Sequence, residues 1–254
     1  SREQITFDTE PITAASAPQT GGAPGFVFLR DQGGNENAQI FYRDLTTRTT
    51  RRLTDGQSRN ASAVWSRDGR RVAYTSTARD GVSYELYIAD VLENAAPRFV
   101  MNGMSKTWFA LDWSVDDSKL LVLNYRSINE SYLFIADAIT GSLTPVDAGN
   151  NRVGIRAARF APDGRYIYLI SDRDSEFARL RRVDTVLDEV AILTERIPWD
   201  IASFDVSPDG RYVAFVANVD GYSRLTILDQ INQSEISPPL ADVQISNLAF
   251  DRTG

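Results

Sequence analysis

Val206-Ser207-Pro208-Asp209-Gly210-Arg211, followed by Tyr212-Val213-Ala214-Phe215-Val216, joins an apolar anchor, a tight turn and a nearly continuous apolar run. Aspartate accepts hydrogen bonds within its own turn, and glycine supplies the positive φ such turns need. An apolar run without alternation reads as a strand covered on both faces. The pattern recurs at Trp65-Ser66-Arg67-Asp68-Gly69-Arg70, at Trp113-Ser114-Val115-Asp116-Asp117-Ser118 and at Phe160-Ala161-Pro162-Asp163-Gly164-Arg165. Phe250-Asp251-Arg252-Thr253-Gly254 repeats its outline. The last quoted turn positions, Gly69, Asp117, Gly164, Gly210 and Gly254, follow one another at 48, 47, 46 and 44 residues.

A second marker keeps the same period. An aspartate ends an alternating or apolar run at Asp44, Asp90, Asp137, Asp184 and Asp229, at steps of 46, 47, 47 and 45 residues. Within one repeat the pattern predicts four strands. The first ends at the anchor (Ala63-Val64-Trp65). The second follows the turn (Arg71–Thr75, Tyr166–Ile170, Tyr212–Val216), and the third ends on the aspartate (Gln39–Asp44, Glu85–Asp90). The fourth is short and polar (Arg51–Thr54, Ala191–Thr194), as suits an exposed outer edge.

Four short antiparallel strands in a serial repeat predict an all-β chain, a β-propeller of four-stranded blades. A β-sandwich is the alternative, but it needs no turn signature at a fixed period. Second and third strands occur five times, starting at Phe26–Leu29. Arg2–Phe7 has the character of a fourth strand and Ser246–Phe250 that of a first. The expectation is five complete blades plus parts of a sixth. Residues 1–254 then form one incomplete propeller domain of a longer protein.

Composition narrows the chemistry. The 254 residues contain no histidine and no cysteine, and the net charge is −7. A Ser-His-Asp triad and a Cys/His zinc site therefore cannot be built. No clustered D-x-D-x-D-G loop offers a calcium site. No metal, cofactor or catalytic residue is expected. The acidic balance without a basic stripe argues against nucleic acid. No apolar run approaches the ~20 residues of a membrane helix. Cytoplasmic and periplasmic locations are equally compatible, and the oligomeric state is open.

The Ser-Pro-Asp-Gly-Arg turns, the strands ending in Asp and the edge Leu53-Thr54-Asp55-Gly56 resemble two groups of propeller repeats. One is the TolB-type propellers. The other is the N-terminal propeller of prolyl oligopeptidase-family serine peptidases, including acylaminoacyl-peptidase-like branches. Asp31-Gln32-Gly33-Gly34-Asn35-Glu36-Asn37-Ala38-Gln39-Ile40-Phe41 resembles the D-x-G-G-x-E-x-x-Q-I-Y stretch of the peptidase propellers. The resemblance implies a non-catalytic domain that gates and positions peptide substrates for a C-terminal α/β-hydrolase domain. That hydrolase domain and the peptide are the implied partners. The alternative is a TolB-like protein-interaction propeller. The nucleophile elbow G-x-S-x-G is absent, since Gly56-Gln57-Ser58-Arg59-Asn60 lacks the last glycine. No Glu-Glu pair is present, which argues against the dipeptidyl-peptidase branch.

Chain direction assigns the turns between strands one and two, and three and four, to one end of each sheet. Loops from strand two to three, and from four to the next sheet, lie at the other end. The second set varies more, and variable loops on a regular scaffold carry binding. Trp108, Arg126, Arg152 and Trp199 fall there and are the binding-face candidates; the structural alternative is that both tryptophans plug gaps between blades and both arginines are solvated. Asp112, Arg159 and Asp205 occupy matching places on three consecutive innermost strands. Arg159 is expected between the two aspartates as a structural pairing. A channel-lining site, or a glycosidase-type carboxylate pair from Asp112 and Asp205, is the functional alternative.

Overall fold

The computed structural model describes residues 6, 10–19, 21–102, 107–147, 152–240, 243–246 and 248–251. Twenty strands form five separate four-stranded antiparallel sheets, and no helix occurs among the described residues. None is therefore long and apolar enough to cross a membrane, which says nothing of strand-built membrane proteins.

The first sheet holds β1 (Ala14–Ser16), β2 (Gly25–Arg30), β3 (Gln39–Asp44) and β4 (Thr50–Arg52). The second holds β5 (Asn60–Trp65), β6 (Arg71–Ser76), β7 (Glu85–Asp90) and β8 (Arg98–Met101). The third holds β9 (Thr107–Trp113), β10 (Lys119–Ser127), β11 (Glu130–Asp137) and β12 (Leu143–Val146). The fourth holds β13 (Ile155–Phe160), β14 (Tyr166–Ser171), β15 (Arg179–Asp184) and β16 (Glu189–Ile192). The fifth holds β17 (Ile201–Val206), β18 (Tyr212–Val219), β19 (Tyr222–Asp229) and β20 (Ser234–Ile236). Within every sheet the strands lie in chain order, as the arithmetic of the repeat requires. This arrangement is consistent with propeller blades and excludes the sandwich.

The chain divides into two compact units, Ser1–Ala110 with Ile139–Gly141, and Leu111–Ala138 with Ser142–Gly254. In the first unit Val27, Ile40, Tyr42, Trp65, Val72 and Tyr74 form a buried cluster from the first two sheets. In the second, Tyr168, Ile170, Leu180, Phe204, Val213 and Phe215 do the same from the fourth and fifth. The apolar runs are the second strands, covered on both faces. Full burial of each such aliphatic or aromatic side chain contributes ~1.5–3 kcal/mol.

The two sequence markers prove to be halves of one device. In the turn after β17, Ser207 Oγ donates to Asp209 Oδ1 at 2.5 Å and accepts from Tyr212 N at 2.8 Å. Gly210 sits at φ 73°. Ser66 and Ser114 repeat the scheme, donating to Asp68 and Asp116 at 2.5 and 2.6 Å. Asp117 takes the glycine's place at φ 56°, which a short polar side chain tolerates. The arginine after the turn then reaches the aspartate that ends the third strand. Arg70 meets Asp90 at 2.6 Å, Arg165 meets Asp184 at 2.6 Å, and Arg211 meets Asp229 at 2.8 Å. The same aspartates cap the next turn, as where Asp184 Oδ1 accepts from Val186 N and Leu187 N at 2.9 and 3.1 Å.

Two expectations fall differently. The fourth strand expected at Arg2–Phe7 lies, except for Thr6, outside the described residues. The first strand expected at Ser246–Phe250 is not formed at its described positions. A strand needs a neighbour to take its hydrogen bonds, and no second strand follows it in this sequence. Phe250 N nevertheless donates to Asp205 Oδ2 at 2.7 Å, so the segment reaches an innermost strand without pairing as one.

Candidate functional site

The inner-strand charges act as staples between successive sheets of the second unit. Asp112, on β9, accepts from the backbone N of Phe160, on β13, at 2.9 Å. Arg159, beside that phenylalanine, donates from Nη1 to Asp205 on β17 at 2.7 Å. Asp205 uses its other oxygen on Phe250 N. Both aspartates are buried. Each carboxylate thus holds the anchor residue of the following repeat, 48 residues on from Asp112 and 45 on from Asp205. Oxygens occupied in this way are poorly placed to serve as an acid and base pair.

In the first unit, the loop ends of the two sheets enclose a polar cleft of about 460 Å³ lined by Asn37, Asp55, Ser58, Arg59, Thr77 and Gly81 among others. Two of the lining residues, Asp55 and Ser58, belong to a segment fastened to buried Gln39. Gln39 Oε1 accepts from Thr54 Oγ1 and Gly56 N at 2.7 and 2.8 Å, and its Nε2 donates to Ser58 O at 2.6 Å. Asp55 Oδ1 accepts from Gln57 N, Ser58 N and Ser58 Oγ at 2.8–2.9 Å. Burial alone raises the Asp55 carboxyl, but these bonds outweigh it and hold it below its ordinary range. The Gln39 and Leu-Thr-Asp-Gly motifs that carry the peptidase resemblance therefore fasten one another. In the same unit, the Arg79 guanidinium lies against fully buried Glu85 at 2.5 Å.

In the second unit, a tighter arrangement gathers two of the predicted residues. Arg126, expected on a loop between second and third strands, instead lies on β10, which with β11 forms a hairpin that places Glu130 on β11. Arg126 Nη1 meets Glu130 Oε1 at 2.9 Å, and its guanidinium lies 4.9 Å from the Tyr132 ring centre. The Tyr132 hydroxyl donates to the same Oε1 at 2.9 Å. Arg152 approaches Glu130 Oε2 at 3.5 Å from the other side, with its side chain 83% exposed. The Tyr132 hydroxyl bond, and then the two guanidiniums, hold the Glu130 carboxyl below its ordinary range. The same bond raises the Tyr132 hydroxyl. Glu130 and Tyr132 were not singled out in the sequence; the 126, 130, 132 spacing becomes legible only once the hairpin is known.

The tryptophans divide. Trp108, expected on a loop, lies inside β9, which already begins at Thr107, and is 4% exposed, as the gap-filling alternative has it. It cannot meet a partner at the surface. Most of the loop expected there, Met104–Lys106, lies outside the described residues. Trp199 is 37% exposed on the loop before β17. Its neighbour Asp200 accepts from Arg156 at 2.9 Å and from Ala178 N at 2.7 Å.

No protein-family model matches the chain. Over 124 residues it is 27% identical to the uncharacterized peptidase YuxL of Bacillus subtilis (strain 168), covering 49% of this chain and 18% of that protein. The chain thus spans about a fifth of the curated relative it matches. A putative TolB from Agrobacterium tumefaciens superposes with a TM-score of 0.63 at 18% identity, covering 92% of this chain and 82% of that one. A puromycin-hydrolyzing peptidase of Mycobacterium tuberculosis superposes at 0.67 and 15%, covering 89% of this chain and 38% of that one. An oligogalacturonate lyase from Vibrio parahaemolyticus reaches 0.71 at 12%, covering 98% and 71%. The chain is similar to TolB propellers and to the propeller parts of peptidases. At these identities the superpositions establish the fold alone.

Proposed function

We propose that this chain is the propeller domain of a serine peptidase, with five complete blades and part of a sixth, which admits and orients peptides for a separate α/β-hydrolase domain. The observation that carries the reading is the sequence match to a peptidase over 49% of the chain but only 18% of that relative. A match confined to so small a share leaves room in such a protein for the catalytic machinery. This sequence, without histidine, cannot supply a Ser-His-Asp triad itself. Here gating means exclusion and orientation, which lower the entropy cost of reaction without chemistry by the gate. A lining residue whose hydrogen bonds are internally satisfied, such as Asp55, suits a rigid rim.

The test is to read the gene past the codon for Gly254. A frame that continues into G-x-S-x-G with a later histidine, and whose product is labelled by a fluorophosphonate, supports the peptidase reading. A stop codon soon after Gly254 removes it. The second reading is a TolB-like interaction propeller, favoured by the 82% coverage of the Agrobacterium TolB. Under that reading the product takes no label and recovers a defined protein partner instead.

A further inference from the structure

The arginines at the β10–β11 hairpin are held together by a specific piece of backbone. Ser131 N donates to Val153 O at 2.7 Å, and Ile155 N donates to Ser131 Oγ at 2.8 Å. These bonds lay the segment before β13 along the start of β11 and bring Arg152 beside Glu130. The hairpin tip folds over Gly154, where a Cβ would stand 2.8 Å from Ile128 O and 2.9 Å from an Asp172 oxygen. Only a glycine admits this approach without displacing backbone. At the tip, the Ile128 side chain is 80% exposed.

Two guanidiniums, those of Arg126 and Arg152, share the Glu130 carboxylate, while the Asp172 carboxylate close by accepts from Gly154 N at 2.7 Å. Arg126 is pre-oriented by Glu130, through its Nη1, and by the Tyr132 ring. Arg152 approaches Glu130 at 3.5 Å and, among the described residues, makes no shorter polar contact. Guanidinium groups present planar donor pairs matched to a carboxylate. An exposed aliphatic side chain stands on the hairpin between them in sequence.

We infer that this cluster is a recognition site for the free α-carboxylate of a short peptide, with Arg126 and Arg152 binding the carboxylate and Ile128 touching an apolar last side chain. The identity of the ligand as a peptide rests on the function proposed above; its charge rests on the two half-exposed to exposed guanidiniums. Glu130 and Tyr132 are positioning residues, since they hold Arg126 and need not touch the ligand.

The experiment titrates the whole chain with Ala-Ala-Ala-Leu as the free acid, with the same peptide as the amide, and with inorganic phosphate, followed by NMR and calorimetry. The free acid is expected to bind at least tenfold more tightly than the amide, and more weakly as salt is raised. Arg126→Gln is expected to lower affinity for the acid about tenfold and Arg152→Gln about threefold, with the amide unaffected and the melting temperature unchanged. Tyr132→Phe keeps the ring under Arg126 and loses only the hydroxyl bond, so it is expected to weaken acid binding less than Arg126→Gln does. Equal binding of acid and amide, or an Arg126→Gln variant that binds the acid normally, overturns the site. Phosphate binding as tight as the acid overturns the peptide assignment and leaves a general anion site. Because no hydrolysis is measured, these outcomes are separate from the gene and labelling tests of the peptidase reading.

Discussion

The turn ends of the sheets and the loop end of the third sheet treat polar residues in opposite ways. At the turn end, Ser66, Asp68, Arg70 and Asp90 bond to one another or to the adjacent turn backbone, and Ser207, Asp209, Arg211 and Asp229 repeat the arrangement. At the loop end of the third sheet, Arg126 and Arg152 share a single acid and keep donors toward solvent. The side-chain types are alike; the satisfaction of their hydrogen bonds differs. Charged groups that serve a repeat are consumed by it, so recognition is sought where the accounting stays open.

The comparison can be broken at several points. The largest effect is expected where the turn end meets the core. Trp113, fully buried just before the Ser114 turn, should cost ~3–5 kcal/mol when changed to alanine, measured by urea unfolding. A loss under ~1 kcal/mol would mean that the repeat is not anchored there.

Next comes the inner staple. Asp205→Ala leaves Phe250 N and Arg159 without their carboxylate. The expected loss is ~1–3 kcal/mol, read by the same unfolding curves. Asp205→Asn, which keeps an acceptor, should recover part of it.

Acid should act mainly on the turn end. Arg165 first, and then the Val186 and Leu187 amides, hold Asp184 at about 2 against the opposing effect of burial. Bonds from Ser114 and Ser118 hold Asp116 at about 2. In the unfolded chain an aspartate titrates near ~3.9. The folded pKa is depressed, so this stabilisation is complete above about pH 4 and is lost as pH falls toward 2. Stability measured from pH 5 to pH 2 should therefore drop less steeply in Arg165→Gln than in the parent chain. Parallel curves would show that the clamp contributes nothing to acid sensitivity. The smallest effect on stability is reserved for the loop end. Arg152→Gln should leave the melting temperature within about 1 °C, because an exposed ion pair contributes little.

Much of the scaffold was legible before any coordinates. The turn motif and the strand-ending aspartates located the second and third strands of five sheets, because tight turns and doubly covered strands restrict residue type at fixed spacing. β1 escaped, since Ala14–Ser16 is short, exposed and carries no turn signature. Trp108 was placed on a loop because strand ends are weakly marked in sequence; β9 takes it in from Thr107 and buries it. Arg126 and Arg152 were singled out by type and position. Their shared acid was not, because Glu130 lies 22 residues from Arg152 and meets it only through the Ser131–Val153 bond.

The sequence by itself determined the all-β repeat, its period of about 46 residues, the absence of any histidine- or cysteine-based chemistry and the ends at which turns and loops fall. These follow from local rules: alternation, turn conformations and residue inventory act over a few neighbouring positions. Only the tertiary structure decided which charges are spent and which remain. It joined Arg165 to Asp184, set Asp112 on Phe160 and gave two arginines one glutamate. All of these pairings but Arg126 with Glu130 span 19 to 48 residues; they depend on how strands stack and how hairpin tips bend, and spacing along the chain carries no record of them.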